Sequence, residues 1–148
     1  MFKPTDAAWE RLTDSARLAA DRAYCPYSGF RVGAAVLMTD GHYAVGTNIE
    51  NASYGLTICA ERVAVFMARM LGIDAKPLGV AIYTPTQAPT APCGACRQVL
   101  YEFGGPELRV IAVCDGPKRI DCLLCQLLPA AFGPSDLDAE GDPVPAAL

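Results

Sequence analysis

The chain has 148 residues, a net charge of −4, 52% hydrophobic residues and only 19% charged ones. That length suits one compact domain with an ample core. The acidic balance and the lack of any basic block argue against tight nucleic-acid binding, which needs clustered cations to neutralise phosphates. The N-terminus carries no long apolar run, and no segment is apolar enough to span a bilayer. A soluble, cytoplasmic protein with no membrane or nucleic-acid partner is expected.

Residues 5–24 predict a helix, with Thr5 or Asp6 as cap and Trp9, Leu12, Ala16, Ala19 and Ala23 at helical spacing. The stretch from Tyr24 to Gly29 breaks it. Phe30 to Met38 reads as a strand, Asp40-Gly41 as a hairpin turn, and His42 to Ile49 as the returning strand. Thr57 is the expected cap of a helix from Cys59 to Leu71. That helix is apolar almost all round, which predicts burial in a core or an interface. A strand over 78–83, a helix from Pro92 or Cys93 to Phe103, a strand over 108–113 and a last helix over 121–128 follow. Residues 138–148 read as a flexible tail after a single domain of residues 1–137. Helices alternating with apolar strands predict an α/β fold, a three-layer α/β/α sandwich around a mixed sheet.

Seven cysteines, an odd number without a secretory signal, read as thiols or metal ligands rather than disulfides. Cys93-x-x-Cys96 follows Pro92 at a predicted helix start, where a thioredoxin-type redox pair is the main rival reading. Cys59, at a second helix start, adds a third sulfur, and Glu61 adds a carboxylate two positions on. Three thiolates leave one corner of a zinc tetrahedron open for water. A buried carboxylate beside that water can shuttle its proton. Arg62 and Arg97 follow Glu61 and Cys96 directly, so they can offset the negative charge of three thiolates; Arg62, Arg97 and Gln98 are expected behind the ligands. Cys122-x-x-Cys125 leaves open a closed structural site, C-x2-C-x25-C-x2-C, in a zinc-stabilised binding module. Cys25 and Cys114 read as small core hydrophobes, and His42 as an exposed residue beside the hairpin.

Cys59-x-Glu61…Pro92-Cys93-x-x-Cys96 is similar to the zinc-deaminase signature H-x-E…P-C-x-x-C, with cysteine in the histidine's place. Together with Asn48-Ile49-Glu50-Asn51-Ala52-Ser53-Tyr54, Arg97-Gln98 and Leu127-Leu128-Pro129-Ala130-Ala131-Phe132, it resembles the small, tetrameric class of cytidine deaminases over roughly residues 10–137. The resemblance implies zinc-dependent hydrolytic deamination of cytidine and deoxycytidine, with one zinc per subunit on Cys59, Cys93 and Cys96 and Glu61 as acid/base. It further implies that Asn48 and Glu50 hydrogen-bond the ribose, Phe30 stacks near the base and the Ala60 backbone reads the pyrimidine edge. Tyr54 and Phe132 would reach a neighbouring subunit's site in a homotetramer. Leu123 and Gln126 depart from the Thr and Glu expected ahead of Leu127-Leu128-Pro129. A deaminase of a modified cytosine nucleoside such as blasticidin S is the alternative within the same class.

Overall fold

The computed structural model describes residues 2–72 and 74–137, so the tail expected from Asp138 onward lies outside the described residues. Helix α1 (Asp6–Ala20) is capped by Thr5, whose hydroxyl accepts from the Ala8 N–H. It ends four residues earlier than the periodicity suggests. Arg22 and Ala23 tighten onto the carbonyls of Ala19 and Ala20, and the Tyr24 N–H is captured by the Asn48 carbonyl. A long-range partner outcompetes the next helical turn.

Strand β1 (Gly33–Met38) is buried along its whole length. Ala34, Val36 and Met38 face one core, and Ala35 and Leu37 face the other. Phe30, Arg31 and Val32 lie outside the strand because Asn48 and Thr47 take their backbone groups with side chains. The hairpin through Asp40 and Gly41, the latter at φ 89°, returns β2 (Tyr43–Thr47) along the edge of the sheet. At the tip, Asp40 accepts the His42 N–H and pairs with its imidazole at 3.0 Å.

Helix α2 (Ala60–Met70) crosses back to β3 (Pro77–Tyr83), and α3 (Gly94–Gly104) leads from there to β4 (Arg109–Val113). With a last strand β5 (Ile120–Leu123), the sheet order is β2-β1-β3-β4-β5, in which β3 and β4 are the parallel neighbours. Residues of α1 share one core with Ala35, Leu37, Ala81 and Ile111 of the sheet. Those of α2 and α3 share the other with Ala34, Val36, Val80, Ile82 and Val110. The three-layer α/β arrangement with a mixed sheet is thus present.

One expectation needs correction. The last segment is not one helix over 121–128. It is an edge strand, β5 (Ile120–Leu123), running straight into a single helical turn, α4 (Leu124–Leu127). Asp121 is its outward anchor, held by Arg109 at 2.8 Å and by Arg119. Apolar residues at both 120 and 122 suit a half-buried strand as well as a helix. Helix α2 presents one face to the core and an apolar face outward. Ala60, Ala64, Val65 and Ala68 face the core, whereas Phe66, Met67, Met70 and Leu71 are exposed within this chain.

The α2 helix lies unusually close to β2. A Cβ on Gly46 would stand 2.3 Å from the Ala64 nitrogen and 2.5 Å from the Ala60 carbonyl oxygen, both backbone atoms that no rotamer change can move. Gly46→Ala is therefore expected to lower stability by about 2 kcal/mol or more, the cost typical of overpacking. A thermal midpoint equal to the parent's would contradict that close approach.

Candidate active site

Strands β2 and β3 both run antiparallel to β1, and each is followed by a helix on the same face of the sheet. The starts of α2 and α3 therefore sit at the carboxyl ends of two parallel-running strands, where open α/β sheets form their binding crevice. Cysteines occupy both N-cap positions. Cys59 precedes α2 and Cys93 precedes α3, and neither thiol caps its own helix. The sulfurs turn toward each other instead. Thr57, the expected cap, accepts the Asn51 N–H with its hydroxyl.

Cys96, the third residue of α3, is buried and completes the group, with the three sulfurs all within 4.8 Å of one another. Two sulfurs each about 2.3 Å from a tetrahedral zinc stand about 3.8 Å apart. Cys59 Sγ and Cys93 Sγ are 3.9 Å apart, so the donor set fits a zinc ion in spacing as well as in chemistry. The sulfurs are not joined in a disulfide.

Glu61, the second residue of α2, is 4% exposed. Burial, joined by the neighbouring Cys59 sulfur, raises its carboxyl above the ordinary glutamate range. Arg62 follows, with Nη2 3.4 Å from Cys59 Sγ and 3.5 Å from the Thr57 carbonyl. A hydrogen bond from Cys96 and the adjacent Arg62 guanidinium together pull the Cys59 thiol down to about 5. The same pairing, with burial and Glu61, pushes Cys96 up. The Nε of Arg62 is buried without a hydrogen-bond partner. Its guanidinium is committed to the sulfur side, as the charge of a thiolate cluster requires.

Arg97 is engaged by two backbone carbonyls. Its Nε donates to the Pro92 carbonyl at 2.7 Å and its Nη1 to the Leu127 carbonyl at 2.8 Å. Gln98 donates to the Phe132 carbonyl at 2.8 Å. These two residues therefore tether the 127–132 segment to the start of α3. Gln126, a departure from the expected pattern, still accepts the Leu123 N–H with its side chain and so closes the one-turn helix.

A second group gathers at the same end of the sheet. Asn48, 8% exposed, donates to the Phe30 carbonyl and accepts from the Val32 N–H. Glu50 accepts from Tyr27 N at 2.9 Å, Ser28 N at 3.2 Å and the Ser28 hydroxyl. The serine hydroxyl, more than the two backbone donors, draws the Glu50 carboxyl below its usual range. Ile49, between them, exchanges both backbone hydrogen bonds with Ile58, the residue before Cys59. The segment carrying Asn48 and Glu50 is thus stitched directly to the first sulfur donor.

The sequence is matched over residues 7–112 by the family model described as the cytidine and deoxycytidylate deaminase zinc-binding region. The chain belongs to this deaminase family. Among its relatives, the cytidine deaminase of Mycobacterium tuberculosis (strain H37Rv) is 45% identical over 91% of this chain and 97% of the relative. That of Halalkalibacterium halodurans is 43% identical over 87% of this chain and 97% of the relative. Of solved structures, the cytidine deaminase from Burkholderia pseudomallei superposes with a TM-score of 0.78 at 43% identity, covering 83% of this chain and 98% of that one. The M. tuberculosis enzyme gives 0.76 at 45% identity, covering 88% and 99%.

Within this deaminase, Tyr54 and Phe132 stand at the surface, 74% and 59% exposed, and Tyr54 lies 6.0 Å from the Tyr27 ring between centroids. Phe30 is exposed at the rim. Ala60 begins α2 fully buried, and its N–H is one of the helix's first, which have no intrahelical acceptor. Among the described residues, Cys122 and Cys125 do not join the sulfur group, which disfavours the closed four-cysteine site. Sequence reasoning missed Ser28 and the Ile49–Ile58 bridge. The serine carries no chemistry of its own, and a two-residue bridge has no periodicity to read.

Replacing Cys122 and Cys125 together by serine is expected to leave about one bound zinc per chain, whereas Cys59→Ala should abolish tight binding. Metal analysis of the dialysed variants checks both, and metal loss from the double variant would contradict the assignment.

Proposed function

We propose that this chain, as one catalytic domain over residues 1–137, hydrolyses the 4-amino group of cytidine and deoxycytidine. The products are uridine or deoxyuridine and ammonia, a step of cytoplasmic pyrimidine salvage. The observation that carries the reading is the meeting of Cys59, Cys93 and Cys96 beside the buried carboxyl of Glu61. When bound there, zinc supplies the Lewis acidity that makes water nucleophilic at neutral pH.

The protein's own groups do the rest. Glu61 takes one proton from the attacking water and delivers it to the ring nitrogen, then takes the second from the hydroxyl added at C4 and delivers it to the leaving amine. Its burial suits that task, because a carboxyl raised above the ordinary glutamate range holds a proton more readily between accepting and releasing it. Arg62 offsets the charge on Cys59. The Ala60 N–H meets the pyrimidine edge, Phe30 stacks on the base, and Asn48 and Glu50 address the ribose. A pair of polar groups for an unmodified sugar favours cytidine over blasticidin S.

Assembly belongs to the same reading. An exposed stripe of Phe66, Met67, Met70 and Leu71 on one helix is unusual for a monomer. A second copy of this chain is the occupant that would bring Tyr54 and Phe132 to a neighbouring site. The homotetramer is tested by light scattering, with an expected mass four times that of the 15.7 kDa chain. Met70→Lys should shift it to smaller species with lower activity, and full activity in a monomer would refute the shared site.

Glu61→Gln is expected to retain zinc and fold yet lower kcat by about 1,000-fold or more. Loss of cytidine absorbance reads it directly. Near-normal turnover in that variant would remove Glu61 as the proton carrier, and absence of turnover in the parent protein would remove the reaction itself.

A further inference from the structure

We infer that Ser28 is a positioning residue for the sugar end of the site, coupling the Glu50 carboxylate to the backbone of Phe30. This rests on the reading that Glu50 meets the ribose. The 24–32 segment that carries Phe30 contains no helix and no extended strand, and Gly29 within it sits at φ +66°. Hydrogen bonds from two side chains must therefore fix where Phe30 lies. Asn48 holds its carbonyl side, donating to the Phe30 oxygen at 2.8 Å while accepting from Val32 N at 2.9 Å. Ser28 holds the other side, its Oγ accepting the Phe30 N–H at 3.0 Å.

A serine hydroxyl has one proton to give and lone pairs to accept with. Here the proton goes to Glu50 Oε1, and a lone pair serves Phe30. Glu50 Oε2 meanwhile takes the N–H groups of Tyr27 and Ser28. Among the described residues, every hydrogen bond given to this carboxylate thus comes from residues 27 and 28, and the hydroxyl is the link that also reaches Phe30. Without it, Glu50 keeps two backbone donors on one oxygen and the other is free to swing. Phe30 would keep its carbonyl anchor but lose its amide one. Ser28 is itself exposed, so its hydroxyl fills no core space.

The test compares cytidine with 2′,3′-dideoxycytidine in the parent protein, Ser28→Ala and Ser28→Thr, with zinc content and thermal midpoint measured alongside. Ser28→Ala should lower kcat/KM for cytidine by about tenfold, mostly through KM, as loss of a hydrogen bond to a charged group predicts. The loss on dideoxycytidine should be smaller, so the preference for the intact ribose shrinks. Ser28→Thr, which keeps the hydroxyl, should restore it, and zinc and midpoint should not move. An undiminished preference in Ser28→Ala, an equal loss on both substrates, or no recovery in Ser28→Thr would overturn the role of Ser28. A parent protein with no preference for cytidine over dideoxycytidine would instead overturn the ribose reading on which it rests.

Discussion

Much of this structure depends on how closely α2 can lie on the edge strand β2. Gly46 offers only a hydrogen where any other residue would thrust a Cβ into the helix backbone. That contact brings Ala60 and Ala64 down onto the strand and puts the first turn of the helix just past the strand's end. Cys59 and Glu61 occupy that turn, and Ile58 immediately before it pairs with Ile49. The small side chains along the inner face of α2 are therefore less a generic core than a spacing device. They set the height at which a sulfur and a carboxyl meet the second helix start.

Electrostatics at the meeting point makes opposing demands. Sulfur donors need positive surroundings to stay deprotonated, and two helix starts provide it through their unpaired N–H groups. Arg62 adds a full charge on the same side. Glu61 sits in the reverse, a dry setting that makes its proton easier to keep, two residues from Cys59. A single helical turn reconciles the two because side chains at positions 59, 61 and 62 leave it in different directions. The arginine serves the sulfur and the core shields the carboxyl.

What could be read in the sequence divides along physical lines. The sulfur donors and Glu61 were legible because metal chemistry restricts residue type and spacing together. Strands β1, β3 and β4 announced themselves as short apolar runs between breakers. Strand β5 did not, since Ile120, Cys122, Leu123 and Leu124 satisfy a helical reading equally well, and only pairing with β4 decides. The outward face of α2 shows the limit of composition: an apolar helix signals that a surface will be covered, but not whether the cover is the chain's own core or an interface. The carbonyl partners of Arg97 have no signal in the sequence, because one residue along a helix is a turn of about 100° and only the fold says what lies there. Ser28 was invisible, as an exposed serine in a turn has no pattern to betray the carboxylate it holds.

That rotation has a consequence for how the gene can vary in length. Helix α3 uses nearly every direction it has. Cys96 points to the sulfur group, Arg97 to the Leu127 carbonyl, Gln98 to the Phe132 carbonyl, and Leu100 to the core. One codon inserted or deleted between positions 96 and 100 would rotate everything beyond it by about 100° and misdirect several of these at once. No compensating substitution at a single site could recover them. Gains and losses of residues are tolerable only outside that turn, in the connection over 84–91 or after Gly104, where no side chain must keep step with the metal.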